Sequence, residues 1–391
     1  MPENTALALA GQAQAAAAEK DYERAADLFA EAAATKGLGQ PLRWKYRNEQ
    51  ASVLTELGRE RKNNAALEQA IELYGKTVLE LAPRKERPGD WATTQHNLGY
   101  ALGLLGQRHR APLLLERAVL VFQNALAVRS REEAPLEWAA TQDAYGAVLG
   151  ILGQRRGDTA LLQRAIAAFE KALEVRTRED TPEEWAATQH NLGMALQVLG
   201  QREQDAQLLK KSVDAYKKVL QEWTRKRAPL DWATTFNDLG TALRLLGEQR
   251  KGPRTLEQSV SAFRNALAER TRERVPYDWA VTQNNLGAAL QSLAKRQDDT
   301  QLLEEACAAY ENALLEITRE RSPMGWAMTL GNLAAVRMLL AERTANASVA
   351  LLALNDFDEI VACFRAASHA RYMELGEDQR KKAEAQPKAK P

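Results

Sequence analysis

The residues of this sequence that could carry chemistry are four histidines, two cysteines and a repeated set of asparagines and arginines. No glycine-rich phosphate loop, no H-E-x-x-H pair and no C-x-x-C pair occurs, so the usual motifs for nucleotide and metal chemistry are missing. His96 and His190 hold matching places in two copies of one motif, which repetition explains better than metal binding. We therefore expect no metal, no cofactor and no enzymatic activity, because an active site needs one constellation that differs from its surroundings.

The motif that contains these histidines is copied along the chain, as in EWAATQHNLGMALQVLGQR from Glu184 to Arg202. Periods of about 20–50 residues indicate stacked repeats. A further tryptophan, Trp44, begins a slipped copy, because the leucines and the glycine after it come one residue early. The six tryptophans that mark the regular copies are each 47 residues apart: Trp91, Trp138, Trp185, Trp232, Trp279 and Trp326.

Each unit is predicted to form two helices of about 18–20 residues. A proline at +44, counted from the tryptophan as zero, suits the first turn of the next unit's first helix. The glycine at +15 is predicted to end the first helix in the left-handed conformation. The second helix is predicted to begin near Thr159, Thr255 or Thr300 in three of the units, and a capping box is expected at Thr255.

The chain as a whole is therefore expected to be all-α. A short helix pair, with helices near 5–18 and 21–35, is predicted over residues 1–36. An array of seven helix pairs of about 47 residues, the last of them a capping unit, is predicted over residues 37–375. The charged residues 376–391 are expected to form a disordered tail.

The unit resembles the tetratricopeptide repeat (TPR). Leu192, Gly193 and Gly200, followed by Ser212 and Tyr216, match the signature of that family, although its usual repeat has about 34 residues. The unit is also similar to long bacterial variants that carry a W-A-x-T-Q-x-N-L-G motif and, less closely, to kinesin light chains. The resemblance implies a right-handed α-solenoid of antiparallel helix pairs. It also implies that the first helices line a concave groove, which binds peptides or helices of other proteins, and that the protein is not an enzyme.

Helical periodicity separates a core stripe from a groove-facing side on each first helix. Positions 0, +3, +7, +11 and +14 form the stripe, so the six tryptophans are predicted to pack between repeats rather than to bind a ligand. The asparagines on the other side could bond a peptide backbone, since an amide both donates and accepts; alternatively, each bonds within its own stack. The candidate partner-binding residues of the groove are Asn97, Asn191, Asn237, Asn284, Asn285, Asn332, His96, His190, Tyr100, Met194 and Arg244.

A ladder of arginines follows the second helices at +38 and +40. Regularly spaced cations could track the phosphates of RNA or bind another anion. The favoured interpretation is local: the arginines complement the helix dipoles and pair with nearby acids such as Glu273 and Glu320. The ladder consists of Arg129, Arg131, Arg176, Arg178, Arg225, Arg270, Arg272 and Arg319.

Composition narrows the remaining functions. The 53 basic and 52 acidic residues almost cancel, which argues against a general binder of nucleic acid or of a membrane surface. The N-terminus lacks the pattern of a signal peptide and no long uninterrupted apolar run occurs, so a cytoplasmic protein is expected. The leading hypothesis is a scaffold or adaptor whose groove binds a peptide or an amphipathic helix of a protein partner. A self-associating solenoid is the alternative, and an RNA or anion binder is the third possibility.

Overall fold

The computed structural model describes residues 2–366 and 380–381, and within these ranges every regular element is helical. The helices pack in consecutive pairs. The first helices of the pairs are α1 (Pro2–Ala18), α3 (Gln40–Glu60), α6 (Pro88–Arg108), α8 (Pro135–Arg156), α10 (Pro182–Glu203), α12 (Pro229–Glu248), α14 (Pro276–Gln297) and α16 (Pro323–Thr344). The second helices are α2 (Tyr22–Ala34), α4 (Asn64–Glu72) with a π-helix (Leu73–Val78) and α5 (Leu79–Leu81), α7 (Pro112–Leu126), α9 (Thr159–Leu173), α11 (Ala206–Val219), α13 (Arg254–Leu267), α15 (Thr300–Leu314) and α17 (Ala347–Ala366).

The predicted all-α array of helix pairs is confirmed. Contacts divide the chain into two compact units, residues 1–198 and 199–391, and the border falls within α10. The predicted division at residues 1–36 and 37–375 and the right-handed sense of the superhelix stay predictions. Residues 367–379 and 382–391, which include most of the predicted tail over 376–391, lie outside the described residues.

The second helices α9 and α15 begin at Thr159 and Thr300, as predicted, and aspartates cap α9, α11 and α15. The capping box expected at Thr255 is not formed, because α13 begins at Arg254 and Thr255 lies inside the helix. The carboxylate of Asp158 accepts hydrogen bonds from the backbone N–H groups of Ala160 and Leu161 at the start of α9. Asp205 and Asp299 cap α11 and α15 in the same way. A carboxylate stabilises a helix start because it both accepts from free N–H groups and complements the helix dipole.

The glycines at +15 do not end the first helices, which contradicts the prediction. Gly153 lies inside α8, and a Cβ added to it would meet the side chain of Leu162 on α9 at 3.0 Å. The left-handed residue comes four positions later, at Gly157, and its counterparts in α14 and α16 are Asp298 and Ala345. The glycine therefore serves the close approach of the two helices of a pair.

The π-helix restores the register of the copy that begins at Trp44, after the leucines and the glycine that come one residue early. In regular units the buried aromatic and the next buried residue are three positions apart, as in Phe122 and Ala125. In the slipped copy the two residues are Tyr74 and Val78, four positions apart, and both are buried. The wider turn of the π-helix holds one extra residue, so both side chains still reach the core.

The tryptophans lie at the edge of the core stripe. All six are half-buried, whereas the alanine that follows each of them is fully or almost fully buried, as at Ala186 and Ala233. The threonines at +3 and the leucines at +14 are buried as expected. Arginines stack over several indole rings, at 5.7 Å for Arg225–Trp232 and 5.9 Å for Arg272–Trp279 and Arg319–Trp326. The tryptophan side chains thus lie partly exposed at the edge of the core, and their role in packing between repeats stays a prediction.

One helix of the described residues, α16, is long and apolar enough to match a membrane span by length and composition. Its side chains Leu333 and Leu340 belong to the core cluster shared with α15 and α17. Near its middle, Arg337 donates to Asp356 on α17 at 2.6 Å and to Glu311 on α15 at 2.7 Å. These contacts are those of a helix that packs inside a helical protein, so its composition reflects burial.

Candidate functional site

A cavity of about 260 Å³ opens between the first helices α8 and α10 in the first unit. The two helices supply the walls, and Leu162 and Phe169 of α9 supply the floor. Most of the lining is apolar, and its polar members are the amide side chains of Gln107, Gln154 and Asn191. The remaining lining residues are Ala147, Gly150, Ile151, Met194, Ala195 and Val198.

Two of the predicted groove residues, Asn191 and Met194, line this cavity together. Met194 is 45% exposed, so its thioether is accessible from solvent. A third candidate, Tyr100 of α6, is 38% exposed and lies at the same repeat position as Met194. The structure therefore brings exposed apolar candidates and one asparagine to the first-helix surface of this unit.

Most of the candidate asparagines are engaged between repeats. The amide of Asn191 donates to Asp143 of the preceding repeat at 3.3 Å. Asn285 donates to the side-chain oxygen of Asn237 at 3.1 Å. Asn97 makes the equivalent bond to Asn48 at 3.2 Å. These bonds correspond to the alternative in which each asparagine stabilises its own stack.

The last junction of the array departs from this pattern. The side-chain oxygen of Asn284 on α14 is buried and has no hydrogen-bond partner. Asn332 of α16, which holds the place of the donating asparagine, is half-buried. A buried amide oxygen without a partner is energetically unfavourable. The helices α14 and α16 nevertheless pack without this bond, so the fold does not require it at every junction.

His96 is half-buried, and its ring is engaged between repeats. Its Nδ1 is 3.1 Å from the hydroxyl of Thr141 on the next first helix, and its ring meets Phe122 edge-on. Burial, with smaller contributions from Arg129 and Arg176, lowers the pKa of His96 to about 4. The side chain is therefore neutral at pH 7, and its ring contacts the neighbouring repeat and α7. His190, at the same repeat position, is half-buried and has partners.

The corresponding surface of the second unit is polar. Arg244 of α12, at the repeat position of Gly150, forms an ion pair with Glu248 at 2.7 Å. The hydroxyl of Ser292 on α14 donates to the same carboxylate at 2.8 Å. Arg244, a predicted groove residue, is thus paired with Glu248, and Glu248 is in turn bonded by Ser292.

The arginines at +38 join consecutive repeats. Arg270 donates through its two terminal nitrogens to the hydroxyls of Thr234 and Thr282, each at 3.0 Å, and is 7% exposed. Arg129 bonds Thr93 and Thr141 in the same way, each at 2.8 Å. Burial lowers the pKa of Arg129. A buried arginine that already has partners offers little to a phosphate.

The arginines at +40 pair with acids, but with different acids from those predicted. Arg225 bonds Glu269 at 2.7 Å, and Arg272 bonds Glu316 at 2.8 Å. Both acids lie in the following repeat. The predicted partner Glu273 instead accepts from its own turn, where its backbone N–H and Thr271 lower the pKa of its carboxyl. The local interpretation of the ladder therefore has a structural basis.

No group of three or more histidine, cysteine, aspartate or glutamate side chains suited to a metal occurs in the described part of the chain. Cys307 and Cys363 are free thiols. Burial raises the pKa of the Cys307 thiol to about 11, so it is protonated and a poor nucleophile at pH 7.

The residue that shapes the cavity, Gly150, was not among the candidates. It holds position +12, where the other regular units carry Gly103, Gln197, Arg244, Gln291 and Met338. The space beside Gly103 is taken by Val148, 3.0 Å from a Cβ placed there, whereas the nearest atom at Gly150 is 3.9 Å away. Four of the other five regular units have a longer side chain at this position, so the sequence alone could have marked Gly150 as a place with open space.

The family model of the tetratricopeptide repeat matches residues 185–222 and 279–316. Among solved structures, RapI in its apo form shares 13% identity over 97% of both chains, with a TM-score of 0.49. A Rap protein complexed with Competence and Sporulation Factor shares 12% identity over 98% of both chains, with a TM-score of 0.48. The C-terminal part of a repeat-containing protein from Cytophaga hutchinsonii shares 14% identity over 80% of this chain and 98% of that chain, with a TM-score of 0.47. No curated protein sequence matches the chain.

Proposed function

We propose that this chain, which belongs to the tetratricopeptide-repeat family, is a non-enzymatic scaffold whose first helices bind a segment of a partner protein. The observation that carries the proposal is the cavity between α8 and α10, which is mostly apolar and lined in part by amides. It gives one apolar anchor side chain of the partner a place to be buried, and burial of such anchors provides most of the affinity of helix and peptide recognition.

The size of the cavity favours a protein segment over a small molecule. Pockets for small molecules typically measure roughly 300–1,000 Å³, and this cavity measures about 260 Å³. It therefore suits a side chain of a larger ligand, while the ligand backbone lies along the first helices. The amide of Asn191 lines the cavity and donates one N–H to Asp143 at 3.3 Å, so its second N–H and its oxygen are the groups it could offer to that backbone.

A phage-displayed peptide library selected on the purified protein tests the proposal. Gly150→Leu should weaken the selected peptides more than about tenfold, because the new side chain fills the cavity without meeting backbone. Met194→Ser should weaken them several-fold by removing an exposed apolar wall. The matched control is Leu351→Ser, which removes an exposed leucine from the second helix α17 and should leave binding unchanged. Peptides that bind Gly150→Leu and Met194→Ser as tightly as the unaltered protein would contradict the assignment.

Light scattering on the same preparation tests the alternative of a self-associating solenoid. A monomer over the concentration range of the binding assay is expected if the surface serves a partner protein. A stable oligomer that Gly150→Leu dissociates would favour self-association instead. The proposed cytoplasmic location has its own test, which is fractionation of the native host with an antibody against the chain.

A further inference from the structure

A second cleft, on the side of the second helices, lies in the first unit between α4 with its π-helix and α7. Its volume is about 530 Å³. Apolar side chains from three elements form its interior, namely Ile71 of α4, Leu105 of α6 and Leu114 of α7. Its other lining residues are Glu68, Glu72, Gly75, Lys76 and Arg117. None of these residues belongs to the first-helix surface described above.

Gly75 keeps this cleft open. It directly follows the buried Tyr74, and a Cβ placed on it would meet no atom within 4 Å. In the other units of the array the residue after the buried aromatic has a long polar side chain, as in Gln123, Glu170, Lys217, Arg264 and Glu311. The glycine and the extra residue of the π-helix occur in the same turn, and π-turns are frequent at functional sites.

The outer face of α7 is also more apolar than that of α9, α11, α13 and α15. Leu113 is 73% exposed and Leu120 is 57% exposed. They are seven positions apart, so they share one face, with Arg117 between them. The residues at the place of Leu113 in later units are Ala160, Gln207, Arg254 and Gln301, and those at the place of Leu120 are Ala167, Asp214, Ser261 and Ala308. The exposed leucines of α7 are therefore not a property of the repeat, although α17 exposes Leu351 and Leu352 at other positions.

Charges of opposite sign flank the cleft. Glu68 and Glu72 lie on α4, and Glu72 forms an exposed ion pair with Lys76 at 2.8 Å. Arg117 lies on the α7 side. A ligand with a cation towards α4 and an acid towards α7 would complement both walls, because complementary charges fix the orientation of a ligand in a groove.

We propose that this cleft docks one amphipathic helix of a partner protein, with apolar residues at i, i+4 and i+7 along α7 and a basic residue facing Glu68. A helix fits the geometry because the floor of the cleft is apolar and two helices form its walls. α7 has 15 residues, which corresponds to roughly 22 Å at 1.5 Å per residue. A docked helix of about three turns would cover Leu113, Leu120 and the interior of the cleft. The proposal is independent of the first-helix groove.

The experiment uses the full chain and a phage-displayed library of single-helix peptides, with affinities of the selected peptides measured by fluorescence anisotropy. We expect apolar residues at the stated spacing and a flanking lysine or arginine. Gly75→Gln and Leu120→Ser should each reduce affinity, Gly75→Gln by more than about tenfold. Gly89→Gln is the matched control, since a side chain there also meets nothing within 4 Å. Met194→Ser separates this site from the first-helix groove and should leave the affinity unchanged.

Three outcomes would overturn the proposal. The first is a set of selected peptides whose affinity does not change in Gly75→Gln, checked by circular dichroism to be folded. The second is the recovery of peptides without helical spacing of apolar residues. The third is a concentration-dependent dimer that Leu120→Ser dissociates, because the occupant would then be a second copy of the chain.

Discussion

The first-helix surface of α8 and α10 and that of α12 and α14 are built from the same repeat but carry different chemistry. In the first, Gly150 leaves an apolar cavity of about 260 Å³. In the second, the residue at the same repeat position is Arg244, which is held by Glu248, itself bonded by Ser292. The helix pairs beneath are alike, because Gly146 packs on Phe169 as Gly240 packs on Phe263, with a Cβ position 2.8 Å from the ring in both. The repeat thus separates positions that are kept to build the helix pairs from surface positions that differ between units.

The largest expected effect tests whether the helix pairs beneath the two surfaces depend equally on their buried aromatic rings. Phe169→Ala and Phe263→Ala should each lower the free energy of unfolding of their own region by about 3–5 kcal/mol, since both rings are buried. Hydrogen exchange measured by mass spectrometry reports each helix pair separately. Loss of protection in only one of the two variants would show that the two helix pairs are not equivalent.

A smaller effect is expected from the arginines that join repeats. Arg129→Met in the first unit and Arg270→Met in the second each leave two threonine hydroxyls without their donor. We expect a loss of about 1–3 kcal/mol in each case, as for buried groups that lose a hydrogen-bond partner. Urea unfolding followed by circular dichroism measures the loss. An effect that disappears at high salt would instead indicate a surface electrostatic role.

The smallest expected effect is a pH dependence of the stability of the first unit, which arises from His96. The pKa of His96 is lowered to about 4 by burial, while Arg129 and Arg176 disfavour its charged form and Asp143 lies nearby with a pKa raised by burial. An unfolded histidine has a pKa of about 6.5, so stability is lost as the pH falls from about 6.5 towards 4, by up to about 2 kcal/mol at pH 5. Hydrogen exchange at pH 7 and pH 5, corrected for the intrinsic rate, should show this loss near α6. It should be reduced in His96→Gln, and an unchanged pH dependence in that variant would exclude His96 as its source.

Much of the fold follows from the periodicity of the sequence. The 47-residue spacing of Trp91 to Trp326 predicts helix pairs, and the start of each first helix at a proline is found where expected. The roles of single residues were harder to assign. Gly153 was expected to end a helix but lies within α8 against Leu162, because a glycine serves a turn and a close contact equally well in sequence.

The candidate site was predicted in part. Met194 and Asn191 line the cavity, whereas His96 points into the stack towards Thr141. Helical periodicity gives the direction of a side chain from its own helix axis, but the position of the neighbouring helix decides whether that direction meets solvent. Asn191 and His96 were therefore indistinguishable until the contacts with the next and preceding repeats were known.

The sequence by itself determined the repeat, the helix pairs and the positions that vary between units, since these depend on spacing along one chain. The tertiary structure decided which variable positions become cavities. Gly103 and Gly150 hold the same repeat position, and only the side chain of Val148 on the neighbouring helix makes one of them filled and the other open. Gly75, on the side of the second helices, is another glycine with open space beside it. Its open space depends on the π-helix and on α7, because a cavity is a property of the atoms that surround it.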